Sequence, residues 1–501
     1  MAKILLVDPP WYVFQGIKSD SVIVGMVYIA SVLKEKGHDC LVYNGDFTMD
    51  TLKGGEGLFV DCENYLDNMA YDESFVWRDF EKLLEKYAPD YVGISMHTPK
   101  YGSAVKIAKI VKKYDPYIPV LVGGLHPTIE PIETLKEPFF DVAVIGEGEE
   151  TIVELINVMD TGGELSSVKG ICYKENKVVV QNPPRPLIED IDAIPFPDFT
   201  LCHRFEEYPS EYFNRILTTR GCPFSCVYCM SPKLWRKKVR FRSPEKVFEE
   251  MKYRYQRFGI RFFKFNDDTF TLDCRRLEKL CALIVKGKMK IKWGCDTRAD
   301  KLNEDVLTMM KNAGCSHLNI GVESGSEKIL GYIKKGESLE AIKKAFVLAK
   351  KMKINVLAYF MMGFPPETKE DILMSVEVMK EIRPDGVCWS LFTPYPGSEI
   401  YEQLKKNGTL QAPSDWSNFF HHSPEMNFSS HISDEEWPRL IEFVNNSIKD
   451  YLRECAVERF FENPVKSLAE RISIYRRDPS LILKNLRLIP NVWRGALKKI
   501  R

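Results

Sequence analysis

No uncharged apolar run in these 501 residues approaches the roughly 18 needed to cross a bilayer. The opening "MAKILLVDPPW" offers only Ile4 to Val7 before Asp8, too short for the core of a secretion signal. These two absences set the expectation of a cytoplasmic protein. Charge of one sign is lacking as well: 70 Lys and Arg balance 70 Asp and Glu, so the chain as a whole has no electrostatic case for nucleic acid. Thirteen cysteines, an odd number scattered along a long chain, do not form a disulfide framework and suggest free thiols. Low-complexity tracts are missing, and no G-x-G-x-x-G follows the first apolar run, which argues against a nicotinamide site.

What is present is alternation. Residues 1–160 interleave β-rich runs ("KILLV" 3–7, "CLVY" 40–43, "YVGIS" 91–95, "PVLVGG" 119–124, "VAVIGEGE" 142–149) with helix-period segments such as 25–37 and 103–114. That pattern predicts an α/β domain with a doubly wound, Rossmann-like parallel sheet. Its ligand crevice is expected beyond the strand carboxyl ends, at Gly123-Gly124 and Gly146/Gly148. Residues 161–210 form a proline-rich linker containing a hairpin with its turn near Lys174 to Lys177. A second βα series follows over 211–410, with strands at 215–221, 262–267, 291–296, 317–324, 355–363 and 386–394. Helix N-caps are expected at Ser243 and Ser338, and a helix ends at Gly314. Six units predict a partial (β/α)6 barrel with its site at the strand carboxyl ends. Residues 411–501 continue no such repeat and are expected to be mostly helical.

"RGCPFSCVYC" (220–229) places Cys222, Cys226 and Cys229 in a C-x3-C-x2-C pattern just after the first barrel strand. A redox C-x-x-C accounts for Cys226 and Cys229 but leaves Cys222 unexplained. Structural zinc needs a fourth ligand, and none is nearby. Three thiolates on one loop suit a [4Fe-4S] cluster with one iron left open. Here the chain resembles the radical S-adenosylmethionine (SAM) enzymes, whose signature is this loop with an aromatic residue, here Tyr228, before the last cysteine. The later strand ends "NDDTF" (266–270), "DTR" (296–298), "GVESG" (321–325), "GFPPET" (363–368) and "PYPGS" (394–398) extend the resemblance. It implies that the open iron chelates SAM. It places Glu323 and Arg298 against the ribose or methionyl part, Lys334 near the SAM carboxylate, and Asp267 and Asp268 near SAM or substrate. Each has a plainer alternative as a surface charge or a helix cap.

The leading domain resembles the cobalamin-binding (B12-binding domain) subgroup of these enzymes, similar to the anaerobic Mg-protoporphyrin ester cyclase and class B methylase group. "DPP" (8–10), "GMVYIASVL" (25–33), "GGLHPT" (123–128) and "GEGE" (146–149) agree with it. The resemblance implies a cobalamin site made by Pro9, Ser95, Gly123, Gly124, His126, Gly146 and Gly148. None of the eight histidines lies in D-x-H-x-x-G, so cobalt is not expected to take a protein histidine. The alternative is an α/β platform that binds no corrinoid.

The three cofactors so implied, a [4Fe-4S] cluster, SAM and cobalamin, point to C-methylation of an unactivated carbon. Radical cyclisation or oxidation without methyl transfer stays open, as does a non-enzymatic corrinoid or iron-sulfur sensor. Cys40 and Cys62 are too few for a second cluster in the first domain. Expected partners are a small molecule, with a lipid or tetrapyrrole considered, and a low-potential donor such as flavodoxin or ferredoxin. Residues 466–501 hold ten Lys or Arg against two acids among apolar side chains. Such a tail suits an anionic membrane surface, or a helix packed on the domain.

Overall fold

The computed structural model describes residues 1–19, 21–48, 62–410, 416, 419, 423–424 and 426–462. Its strands are β1 (Lys3–Asp8), β2 (Asp39–Asn44), β3 (Tyr91–Ser95), β4 (Val120–Gly123), β5 (Val142–Val144), β6 (Ile171–Glu175), β7 (Val178–Gln181), β8 (Arg215–Ile216), β9 (Thr219–Arg220), β10 (Arg240–Phe241), β11 (Phe262–Phe265), β12 (Lys292–Thr297), β13 (Cys315–Glu323), β14 (Asn355–Met362) and β15 (Gly386–Leu391). They make two large sheets, ordered β2-β1-β3-β4-β5-β6-β7 and β15-β14-β13-β12-β11-β8, and a β9-β10 ribbon.

In the first sheet β1 to β5 run parallel. Successive residues of β1 enter different cores: Ile4 and Leu6 join one, Leu5 and Val7 the other. The strand therefore has no polar face, as a sheet covered by helices on both sides requires. Val24–Glu35 and Gly148–Asp160 cover one face; Phe75–Tyr87 and Tyr101–Tyr114 cover the other. The hairpin expected in the linker instead extends this sheet, with β6 antiparallel to both β5 and β7. Its turn is Asn176-Lys177, whose φ values of 49° and 67° give the two-residue bend that matches strand twist. The run "VAVIGEGE" is strand only to Val144, because Gly146 turns the chain with φ 81° into the helix Gly148–Asp160.

The second sheet is parallel throughout and stays open, as a six-stranded partial barrel. Along β14, Val356, Ala358, Phe360 and Met362 are buried while Leu357, Tyr359 and Met361 are half-buried, so one face packs on helices and the other lines a lumen. The first expected strand, 215–221, breaks after Ile216, and β9 leaves to pair with β10. Asp267 holds that break, accepting the N–H groups of Thr218 (2.6 Å) and Thr219 (2.9 Å). Ser243 and Ser338 cap their helices through Lys246 N–H and Ala341 N–H. Gly314 follows the helix Glu304–Asn312 with φ 97°, a conformation that favours glycine.

One core cluster runs from Ala2 to Cys455, through both sheets. Within it the Glu250 carboxylate meets Arg242, Arg254 and the Tyr28 hydroxyl (3.2 Å). Burial alone would raise the pKa of Glu250, but the two guanidinium groups outweigh it and hold it low. After the barrel, Trp437–Glu462 forms a long helix, and Gly363 leaves room for Trp437, whose ring atom would lie 2.7 Å from an added Cβ. No helix among the described residues is long and apolar enough to cross a membrane. The basic tail 466–501 lies outside the described residues.

Candidate active site between the two sheets

The cysteine loop begins where β9 turns away from the barrel. Gly221, with φ 106°, permits the turn. Val227 N–H donates to Ile333 O and Ile400 N–H to Val227 O, both at 3.1 Å, so the loop is fastened to segments that follow the barrel's fourth and sixth strands. The Arg298 guanidinium lies 3.8 Å from the centroid of the Phe224 ring and donates to Lys335 O at 2.8 Å. Cys222, Cys226 and Cys229 are half-buried free thiols. Burial pushes the first two up and Cys229 to about 12, so the unliganded thiols stay protonated. Metal binding reverses that preference. Among the described residues no three His, Cys, Asp or Glu side chains converge on one metal ion. Three thiols on one short loop suit a polynuclear cluster, each thiolate meeting its own iron.

Glu323 ends β13 with φ 66°, after an irregularity between Gly321 and Glu323. A non-glycine residue in that conformation is strained, and here it turns the carboxylate towards Lys335 Nζ at 3.0 Å. Lys335 also faces Glu337 at 3.4 Å. A Cβ on Gly321 would strike the Glu323 carboxylate and lie 2.8 Å from Lys335 Nζ, so a side chain there would displace the ends of both. The Tyr228 phenol is raised by burial and then by Glu323 beside it. Lys334, the residue expected from sequence, instead sits at the surface with Glu399 at 2.7 Å. Lys335 is the one that enters the site. Asp268 accepts the Ser231 hydroxyl at 2.8 Å, and burial raises its pKa.

Facing this loop is an open crevice with a volume of about 340 Å³. One wall is the carboxyl edge of the first sheet, with Gly93, Ser95, Gly123, Gly124 and Gly146. The other is the barrel edge, with Leu217, Arg220, Gly221, Trp235, Asn266 and Asp268. A Cβ on Gly25 or Gly146 would meet nothing within 4 Å, so bare backbone borders the space. That cradle fits a bulky, largely apolar ligand such as a corrinoid. Of the residues expected there, Ser95, Gly123, Gly124, Gly146 and Gly148 line it, whereas Pro9 and His126 do not. His126 packs its ring against Tyr101 and Trp416. Asp267 also stays out, being engaged with the backbone of Thr218 and Thr219.

Sequence reasoning missed the join between the walls. Arg220 donates to Glu147 (2.5 Å) and to Glu149, and Arg240 donates to Glu147 at 2.7 Å. Burial opposes the Glu147 charge, but Arg240 and Arg220 lower its pKa overall. The two carboxylates of "GEGE" thus grip the residue two places before Cys222. The only sequence signal was two acids beside turn glycines.

Comparison with known proteins finds two families along the chain. Residues 13–156 match the B12 binding domain family and residues 216–379 the Radical SAM superfamily. An uncharacterized methyltransferase of Pyrococcus horikoshii is 33% identical over 448 residues, 88% of this chain and 90% of that protein. An anaerobic magnesium-protoporphyrin IX monomethyl ester cyclase of Rubrivivax gelatinosus is 31% identical over 327 residues, 63% of this chain and 58% of that protein. Among solved structures, the radical S-adenosylmethionine methyltransferase TsrM of Kitasatospora setae superposes with a TM-score of 0.65 at 16% identity, covering 82% of this chain and 78% of that one.

Proposed function

This chain belongs to the radical SAM enzymes that carry a B12-binding domain, and from that premise we propose that it methylates an unactivated carbon of a small molecule. When bound, the cluster supplies the electron that cleaves SAM, and the corrinoid supplies a methyl carrier. The observation that carries the reading is the shared crevice, in which the strand-end glycines of the first sheet face the cysteine loop of the barrel. A corrinoid domain that served only as a platform would not need its ligand edge clamped to Arg220, two residues from Cys222.

In this reading Cys222, Cys226 and Cys229 hold the cluster. Glu323, Lys335, Arg298 and Tyr228 orient SAM, with Lys335 in the place first expected of Lys334. Asp268, between the thiols and the crevice, is placed to contact SAM or substrate, while Asp267 acts by fixing the β8-β9 break. The electron comes from a low-potential flavodoxin or ferredoxin in the cytoplasm, and the substrate is a lipid or tetrapyrrole. Radical cyclisation is the second reading, favoured by the relative named as a cyclase.

Anaerobic purification with cobalamin supplied, followed by assay of iron, sulfide and corrinoid, tests it. About four irons and one corrinoid per chain, with SAM converted to 5'-deoxyadenosine under reductant, is the expected result. Four irons without corrinoid would remove methyl transfer and leave cyclisation or oxidation. An intact cluster that never cleaves SAM would sink the enzymatic reading.

A further inference from the structure

The end of the barrel opposite the cysteine loop is basic. Where β11, β12 and β13 begin lies an open hollow of about 620 Å³. Arg261, just before β11, and Lys292, the first residue of β12, stand at its edge with Lys288 and Lys290, and all four are exposed. Among the described residues no carboxylate lines the hollow. Its floor is aliphatic, with Ile284 and Met289, and Val285 beside them is 54% exposed. A cation at a helix C-terminus has a plainer use in complementing the dipole, and Lys286 ends the helix Cys274–Lys286 in that way. That effect fades beyond the last turn, whereas Lys290 and Lys292 follow the turn in which Lys288 takes φ 50°.

A second observation brings more positive charge to the same end. The helix Trp437–Glu462 runs to the start of β15, where its Tyr451 hydroxyl donates to Pro384 O at 2.5 Å and its Arg459 guanidinium to Asp385 O at 3.1 Å. His317, near the start of β13, interacts electrostatically with both Lys292 and Asp385, so the hollow and the foot of this helix share one surface. Residues 466–501, with ten Lys or Arg against two acids, follow that foot in the chain. Their like charge argues against their filling the hollow.

We propose that this end of the barrel docks on an anionic phospholipid surface. The four cations meet lipid phosphates, and the exposed Val285 reaches the boundary between headgroups and acyl chains. No aromatic ring lines the hollow to stack a base, which separates it from a site for single-stranded nucleic acid. Docking through the strand starts leaves the crevice, at the strand carboxyl ends, free for cofactors and substrate. The inference does not depend on the reaction proposed above.

Co-sedimentation of the full-length protein with vesicles of phosphatidylcholine and phosphatidylglycerol tests it. Binding to these vesicles, none to pure phosphatidylcholine, and release at high salt are expected. Lys288→Gln, Lys290→Gln and Lys292→Gln combined should weaken partitioning about 100-fold, since each cation near an anionic surface contributes about 1 kcal/mol. Iron content and unfolding should not change in that variant. In the wild type, amide hydrogen exchange over residues 284–292 should slow when the anionic vesicles are added, a reading that needs no variant. Absence of vesicle binding overturns the proposal. So does binding that the triple variant retains in full, which would leave the attachment to residues 466–501, or equal binding to neutral vesicles. Binding of RNA in place of vesicles, lost in the triple variant, would make the hollow a nucleic-acid surface and overturns it as well.

Discussion

The two walls of the crevice are built from opposite materials. On the first sheet the strand ends present Gly93, Gly123, Gly124 and Gly146, so shape and backbone meet the ligand. On the barrel side the neighbouring groups are Arg220, Asp268, the three thiols and, behind them, the Glu323–Lys335 pair, all of them charged or reactive. One wall excludes side chains to admit a bulky cofactor; the other concentrates side chains to do chemistry. A side chain added to the glycine edge would project into the ligand's space, whereas buried charges tolerate no lost partner. Substitutions should therefore fail differently on the two sides.

The largest effect belongs to the thiols. Cys226→Ala should abolish the brown iron-sulfur absorbance and all SAM cleavage, while corrinoid still binds the opposite wall. Retention of the cluster would show that another ligand set exists. Next comes Lys335→Ala, which strands the buried charge of Glu323 and leaves Glu337 to Arg298 alone. The expected cost is about 3–5 kcal/mol in denaturant unfolding, together with loss of SAM binding. A change below about 1 kcal/mol would mean that water reaches the pair.

The clamp between the walls should break with acid. The folded-state pKa of Glu147 lies below its ordinary value, so its contribution is complete above about 4.5 and is lost as pH falls through the lower, folded value. Glu147→Gln should therefore weaken corrinoid retention at neutral pH and flatten the loss that the wild type shows in acid. An unchanged acid profile in the variant would remove Glu147 from that role. On the glycine wall, Gly146→Ala forces a side chain onto φ 81° and into open crevice space. It should cost about 1–2 kcal/mol of stability and most corrinoid binding, with iron content unchanged.

How much of this was legible in the chain depends on range. The cysteine loop is ten residues long; its spacing suits an iron-sulfur cluster, and its resemblance to the radical SAM signature carried the rest. The βα alternation gave both sheets, because buried parallel strands and amphipathic helices have distinct periods. Glu147 and Arg220, by contrast, are 73 positions apart and meet only through the packing of two sheets. The β8-β9 break was invisible for a similar reason: "RILTTRG" has uniform strand propensity, and only Asp267, from the next strand end, divides it.

The smallest expected effect is the sharpest on local reading. Lys334 and Lys335 are adjacent, and no propensity or period distinguishes them in sequence. The helix Glu327–Tyr332 ends just before them, and Lys334, at φ 52°, reverses the chain so that its side chain points to Glu399 and solvent while the next points inward. Lys334 is 55% exposed, so its ion pair with Glu399 is the screened surface kind worth about 0–1 kcal/mol. Lys334→Ala should thus leave unfolding and the SAM dissociation constant nearly unchanged, where Lys335→Ala destroys both. Loss of SAM affinity in Lys334→Ala alone would restore the assignment made from the motif. It would also mean that the loop 333–337 rearranges when SAM binds, exchanging one lysine for the other.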